Sequence, residues 1–192
     1  MEQRIRRTGT AAAIALLLFC AACAHSVTQF VHPNADLAAL KSVAVLPFEN
    51  LSADRTAGDK VQKIFSSELL STGAFNVVEP GLVSKTLKAS RIETVESLGP
   101  GDFKKLGEEL KADAVFMGTV VDFAESRSGQ TPTPDITIQL RLVECQSGAT
   151  VWSASRSKSG ASASARLFGI GGQSLTEAAR QVVRQELGTL VK

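Results

Sequence analysis

Apolar and polar residues alternate along this chain with a period that switches several times, and each switch marks an element. Ser42-Val43-Ala44-Val45-Leu46-Pro47-Phe48 is a compact apolar run closed by Pro47, the pattern of a buried first strand. After the polar turn 49–54, Val61, Ile64, Phe65 and Leu69 recur at three and four residues. That spacing predicts a helix over 56–71, stopped by Thr72-Gly73. Phe75-Asn76-Val77-Val78 reads as a short second strand, and Glu79-Pro80 introduces a helix carrying Leu82, Val83 and Leu87. A third helix over 101–111 has Phe103, Leu106 and Leu110 as its apolar stripe and Asp102 as its cap.

The pattern then turns to strands. Residues 114–123 are apolar on both faces, which predicts a central place in a sheet. Ile136, Ile138, Leu140 and Leu142 alternate with Thr137, Gln139 and Arg141, so this strand buries one face and wets the other. Gln146-Ser147-Gly148 turns the chain into Thr150-Val151-Trp152-Ser153-Ala154, making a hairpin. A closing helix over 174–191 buries Leu175, Ala178, Val182, Val183 and Leu187, with Ser174 as cap and Glu177 at the capping-box position. The order βαβααββα implies an α/β protein, a single three-layer or two-layer sandwich with a mixed β-sheet and helices packed on it.

The first two dozen residues follow a different logic. Arg4-Ile5-Arg6-Arg7 leads into nine apolar residues from Ala11 to Phe19, too few to span a bilayer, followed by Cys20-Ala21-Ala22-Cys23. A charged start, a short apolar core and small residues before a cut are the parts of an export signal. Ala21-Ala22-Cys23 resembles the lipobox of bacterial lipoproteins, although Cys20 stands where that motif usually has Leu. The resemblance implies cleavage before Cys23 and a lipid on its sulfur, and Ala24 matches the pattern that sorts such proteins to the outer membrane. The expected division is a signal peptide over 1–22, a lipidated tether over 23–40 and a periplasmic α/β domain over 41–192. A lipid anchor holds such a domain at a membrane without spanning it. The tether segment 24–40 shows no sustained helical or strand period, although Val27, Phe30 and Val31 are apolar enough to dock on the domain.

Charge takes on a new meaning once the signal is set apart. The net charge of +2 is wholly accounted for by Arg4, Arg6 and Arg7 against Glu2, so the remainder is neutral and has no basic cluster. Nucleic acid binding needs a basic face and is set aside. Of three cysteines, Cys20 leaves with the signal and Cys23 takes the lipid, so Cys145 has no partner for a disulfide. At the end of an apolar strand, Cys145 reads as a packed side chain.

Catalytic constellations are missing from the pattern. Both histidines, His25 and His32, lie in the tether, and the domain holds none to activate a serine or to anchor a metal. Ser157-Lys158 are neighbours on a strand and so point apart. Gly169-Ile170-Gly171-Gly172-Gln173-Ser174 precedes a helix, yet has neither a P-loop lysine nor a preceding strand. The expectation is a protein that is not an enzyme and needs no cofactor or metal.

Three segments carry a wider resemblance: Val43 to Ser52, Ala112 to Val120, and Leu140 to Trp152. They look like the shared core of three groups of envelope lipoproteins: the curli secretion channel family, lipoproteins of the neisserial vaccine antigen type, and lipoprotein activators of penicillin-binding proteins. The resemblance covers about residues 42–192 and identifies the fold better than the activity. Curli channel members add long alternating hairpins to a membrane barrel, whose strands need roughly 9 to 11 residues each. Here the best free stretch, 155–172, is mostly Ser, Ala and Gly, so a pore built by this chain alone is not expected.

The resemblance implies a non-enzymatic, membrane-anchored domain at the outer membrane, facing the periplasm. It would bind envelope proteins or copies of itself, as an accessory of secretion or envelope biogenesis. The alternative is an adaptor that activates a peptidoglycan synthase. Such activators use long Pro-rich tethers, whereas 24–40 is 17 residues with one proline. The Ser-rich stretch 153–164 and the Gly-rich stretch after it suggest a partner-binding loop with Leu167, Phe168 and Ile170 as contacts. Changing Leu167 and Phe168 together to Ser is expected to abolish partner capture in a pull-down while leaving the far-ultraviolet circular dichroism unchanged; retained capture refutes the assignment.

Overall fold

A computed structural model describes residues 28–128, 131–160 and 173–191. Seven strands and four helices form in the order β1 (Thr28–Val31), β2 (Ser42–Val45), β3 (Glu49–Asn50), α1 (Ala57–Thr72), β4 (Asn76–Val77), α2 (Pro80–Ala89), α3 (Pro100–Leu110), β5 (Ala114–Ser128), β6 (Thr131–Glu144), β7 (Thr150–Ser159) and α4 (Leu175–Leu190). They make one mixed sheet in the order β1-β7-β6-β5-β2-β4, with β3 also paired to β5. On one side of β5 the strands β2 and β3 run parallel to it, and β4 runs parallel to β2. On the other side β6, β7 and β1 form an antiparallel meander.

The mixed α/β class and the central place of β5 agree with the sequence reading. The order βαβααββα falls short by three strands: β1, β3 and one strand of the C-terminal meander. β1 lies within the stretch read as tether, where four residues are too few to establish a period. It exists because its backbone pairs with β7, Thr28 opposite Ser155 and Val31 opposite Trp152. β7 likewise runs on to Ser159, through residues whose Ser-rich composition suggested loop, because β6 offers it a continuous ladder as far as Asp135.

Helix termini follow local chemistry. α1 ends at Gly73, whose positive φ of 64° a glycine adopts without strain, and whose N–H donates to Leu70 O. Ahead of α1, the Asp54 carboxylate accepts from the Thr56 N–H at 2.8 Å and the Thr56 hydroxyl at 2.7 Å and pairs with Lys60 at 2.8 Å. The Lys60 bond first, then the two from Thr56, pull this carboxyl down to about 2. At α3, Gly99 is the cap residue; Asp102 sits inside the first turn and accepts from the Gly99 N–H at 2.9 Å, so it caps by reaching back. Ser174 caps α4 as its sequence implied, its hydroxyl accepting from the Glu177 N–H at 3.2 Å, while the Glu177 carboxylate pairs with Arg180.

Two cores flank the sheet unequally. On one face α1 and α4 cover the strands from β2 to β7, burying Val61, Phe65 and Leu69 with Val182, Val183 and Leu187. Phe116 stands at the centre of this layer, edge-on to Phe65 at 5.0 Å and to Trp152 at 6.4 Å between ring centroids. Trp152 is fully buried, and its indole N–H donates to the Thr189 hydroxyl at 3.1 Å. The two helices are tied together by the buried Glu68 of α1, which binds Arg180 at 3.2 Å and Arg184 at 2.6 Å on α4. On the opposite face α2 and α3 pack Val83, Leu87, Phe103, Leu106 and Leu110 only against β2, the start of β5 and the end of β6. The domain is therefore three layers deep over its parallel half and two layers deep over its antiparallel half. Leu82, expected on the buried face of α2, is 45% exposed.

Gly118 of β5 is required by the ring of Phe48, since a Cβ there would lie 2.6 to 2.7 Å from three ring carbons. Gly118→Val is expected to cost about 1–3 kcal/mol in urea unfolding through overpacking. Gly101→Ala, in open space on α3, is expected to raise stability by up to about 1 kcal/mol in the same measurement.

Candidate functional site

Incomplete cover on one face leaves the antiparallel half of the sheet open, and the described residues form a groove there. The register sets two rows of side chains across it. One runs Met117, Arg141, Ser153, Phe30; the next runs Thr119, Gln139, Ser155, Thr28. The wet face of β6 was legible in its alternation; what it faces was not. These rows floor a groove of about 420 Å³, with Glu49 and Glu96 at its other rim. Glu49 is held by the Thr119 hydroxyl, which donates to its carboxylate at 3.0 Å.

The groove is polar at its floor and apolar at its outer wall. Phe30 on the edge strand β1 is 45% exposed, and its ring meets His32 edge-on at 6.3 Å. His32 Nδ1 accepts from the Asn34 N–H at 3.3 Å. An open sheet face with one cation, two carboxylates, hydroxyls and an exposed aromatic ring at its edge is suited to contact with another surface.

Chemistry elsewhere is muted. Cys145 is buried against Gly107, and burial first, then the charges of Asp113 and Glu144, push its thiol up to about 12, so it remains protonated. Ser157 and Lys158 point to opposite faces of β7, as their adjacency implied. Ser157 exchanges a hydrogen bond with the Thr137 hydroxyl at 2.9 Å, while the Lys158 ammonium donates to Gln173 and Gln181. No group of three or more metal-ligating side chains occurs among the described residues. No helix among them is long and apolar enough to cross a membrane.

The proposed lipidation residue Cys23 and the proposed contacts Leu167, Phe168 and Ile170 lie outside the described residues, as does Gly169-Ile170-Gly171-Gly172. Sequence reasoning missed β1 and with it the outer wall of the groove. It also missed Glu186, which falls on the buried side of α4 and is fully inaccessible. Its two oxygens make no well-formed hydrogen bond among the described residues. Burial pushes its carboxyl well above the ordinary carboxylate range, outweighing the opposing pull of the Arg156 charge and main-chain N–H.

A raised folded value means that folding takes up a proton. The associated stability is complete below the ordinary glutamate value and falls away as pH rises through the folded one. Glu186→Gln is therefore expected to be more stable than the parent at pH 7, by on the order of 1 kcal/mol, with the difference shrinking toward pH 4. Urea unfolding across that range measures it; a parent and variant with parallel pH profiles contradict a buried neutral carboxyl.

Comparison with known proteins gives a family. The profile described as "Putative lipoprotein GNA1162-like" matches residues 35–189, so the chain belongs to the GNA1162-like lipoprotein family. No curated protein matches the sequence. Among solved structures, the PelC dodecamer from Paraburkholderia phytofirmans is similar at 20% identity and a TM-score of 0.61, covering 88% of this chain and 98% of that one. Lipoprotein GNA1162 from Neisseria meningitidis is similar at 20% identity and a TM-score of 0.56, covering 78% and 99%. The LpoB C-terminal domain from Salmonella enterica is more distant, at 15% identity and a TM-score of 0.47 over 62% and 82%.

Proposed function

We propose that this member of the GNA1162-like lipoprotein family is a non-enzymatic envelope protein, held at the outer membrane by a lipid on Cys23 with its α/β domain facing the periplasm. The domain assembles with copies of itself and with other envelope proteins, as an accessory of secretion or envelope biogenesis. One observation carries the reading: one face of the antiparallel half of the sheet has no helix over it, leaving a groove floored by Arg141, Gln139, Ser153 and Ser155. Its row of amide, hydroxyl and guanidinium groups offers the hydrogen bonds that a protein contact uses.

Two further points support it. A protein of the same fold is described as a dodecamer, and a closed ring is a common outcome when one surface patch meets a different patch on the next copy. The buried, protonated Cys145 and the divergent Ser157 and Lys158 supply no activated nucleophile. The activator reading calls for reach across the periplasm. Because β1 starts at Thr28, five residues past Cys23, less free chain is left for that reach than the sequence suggested.

Crosslinking in intact cells followed by mass analysis is the test. Self-crosslinks are expected. Ser153→Trp, which fills the groove between Arg141 and Phe30, is expected to remove them without altering the unfolding midpoint by more than a few degrees. Undiminished self-crosslinks in that variant refute the open face as the contact, and capture of a peptidoglycan synthase alone moves the assignment to the activator.

A further inference from the structure

The starting point is the distance between the proposed anchor and the first residue of the fold. Five residue steps separate Cys23 from Thr28, and fully extended they reach no more than about 18 Å. The polar headgroup layer of a bilayer leaflet takes up about 5–8 Å of that. Thr28 is therefore held within about 10–13 Å of the headgroup surface. The element that must lie nearest to it is β1, which is the outermost strand of the sheet.

We propose that the edge formed by β1 and the end of β7 docks on the lipid headgroups, so that the anchored domain sits on the bilayer in one orientation. The inference rests on the lipid at Cys23 and adds to it a surface and a direction. Two observations point to this edge. All four residues of β1 are exposed, with Phe30 at 45% and Val31 at 43%. Alternation puts these two on opposite faces of the strand, Phe30 with Ser153 on the open side and Val31 with Trp152 on the helical side, so apolar surface flanks the edge on both sides. Aromatic and branched apolar side chains in such a position partition into the membrane interface.

The test uses the lipidated mature protein in vesicles of phosphatidylethanolamine and phosphatidylglycerol. An environment-sensitive fluorophore is placed at Phe30→Cys or, at the far side of the sheet, at Leu82→Cys. Cys145 is buried with its thiol pushed up to about 12 and so resists labelling. With nitroxide-bearing headgroups present, the label at residue 30 is expected to lose most of its emission and the label at residue 82 to keep it. Val31→Ser, which removes apolar surface from the same edge, is expected to weaken the quenching at residue 30. Equal emission at the two positions in protein that floats with the vesicles overturns the docking and leaves the anchor standing. Protein that does not float overturns both. A residue 30 label shielded from aqueous iodide yet untouched by the lipid nitroxide assigns the edge to a second copy and also overturns the proposal.

Discussion

Everything in this fold depends on how β5 is buried. In its first half, Ala114, Val115, Phe116 and Met117 are all covered, so side chains on both faces of the strand must meet apolar layers. Beyond Gly118, Val120 and Phe123 are buried while Asp122 and residues 124–126 are exposed. A strand that passes from two-sided to one-sided burial forces the sheet around it to do the same. The parallel half takes helices on both faces, as parallel sheets do, and the antiparallel half takes them on one. The Phe116 ring, between Phe65 and Trp152, marks the core of the layer that is common to both halves.

Polar groups within this frame divide into those that fasten it and those that burden it. Glu68 joins α1 to α4 through two arginines that keep contact with water, so its charge is balanced without stranding another. Glu186 of α4 is buried with Arg156 as its nearby charge, and burial pushes its carboxyl well above the ordinary carboxylate range. The first carboxyl fixes the spacing of the two helices over the sheet. The second makes the same interface sensitive to proton activity.

Consequences for function follow from what is left uncovered. A groove floored by Ser153, Ser155, Gln139 and Arg141 is wet and shallow, and its outer wall is a strand four residues long. The same strand sets the distance to the proposed anchor. One short edge element therefore bears on two relations of the domain, to the membrane and to whatever occupies the open face.

Much of this was legible along the chain. The helical stripes of Val61, Phe65 and Leu69 or of Phe103, Leu106 and Leu110 are local periods that a helix must bury. The alternation of β6 declared one wet face. What tertiary structure alone decided has a common physical cause, which is pairing between distant segments. β1 has no period of its own and forms only because β7 presents an unpaired edge. The groove needs residues from five strands in register, and the burial of Glu186 depends on where α4 lands against β7. Local sequence determines which side of each element seeks cover; the long-range hydrogen-bond ladder determines which sides receive it.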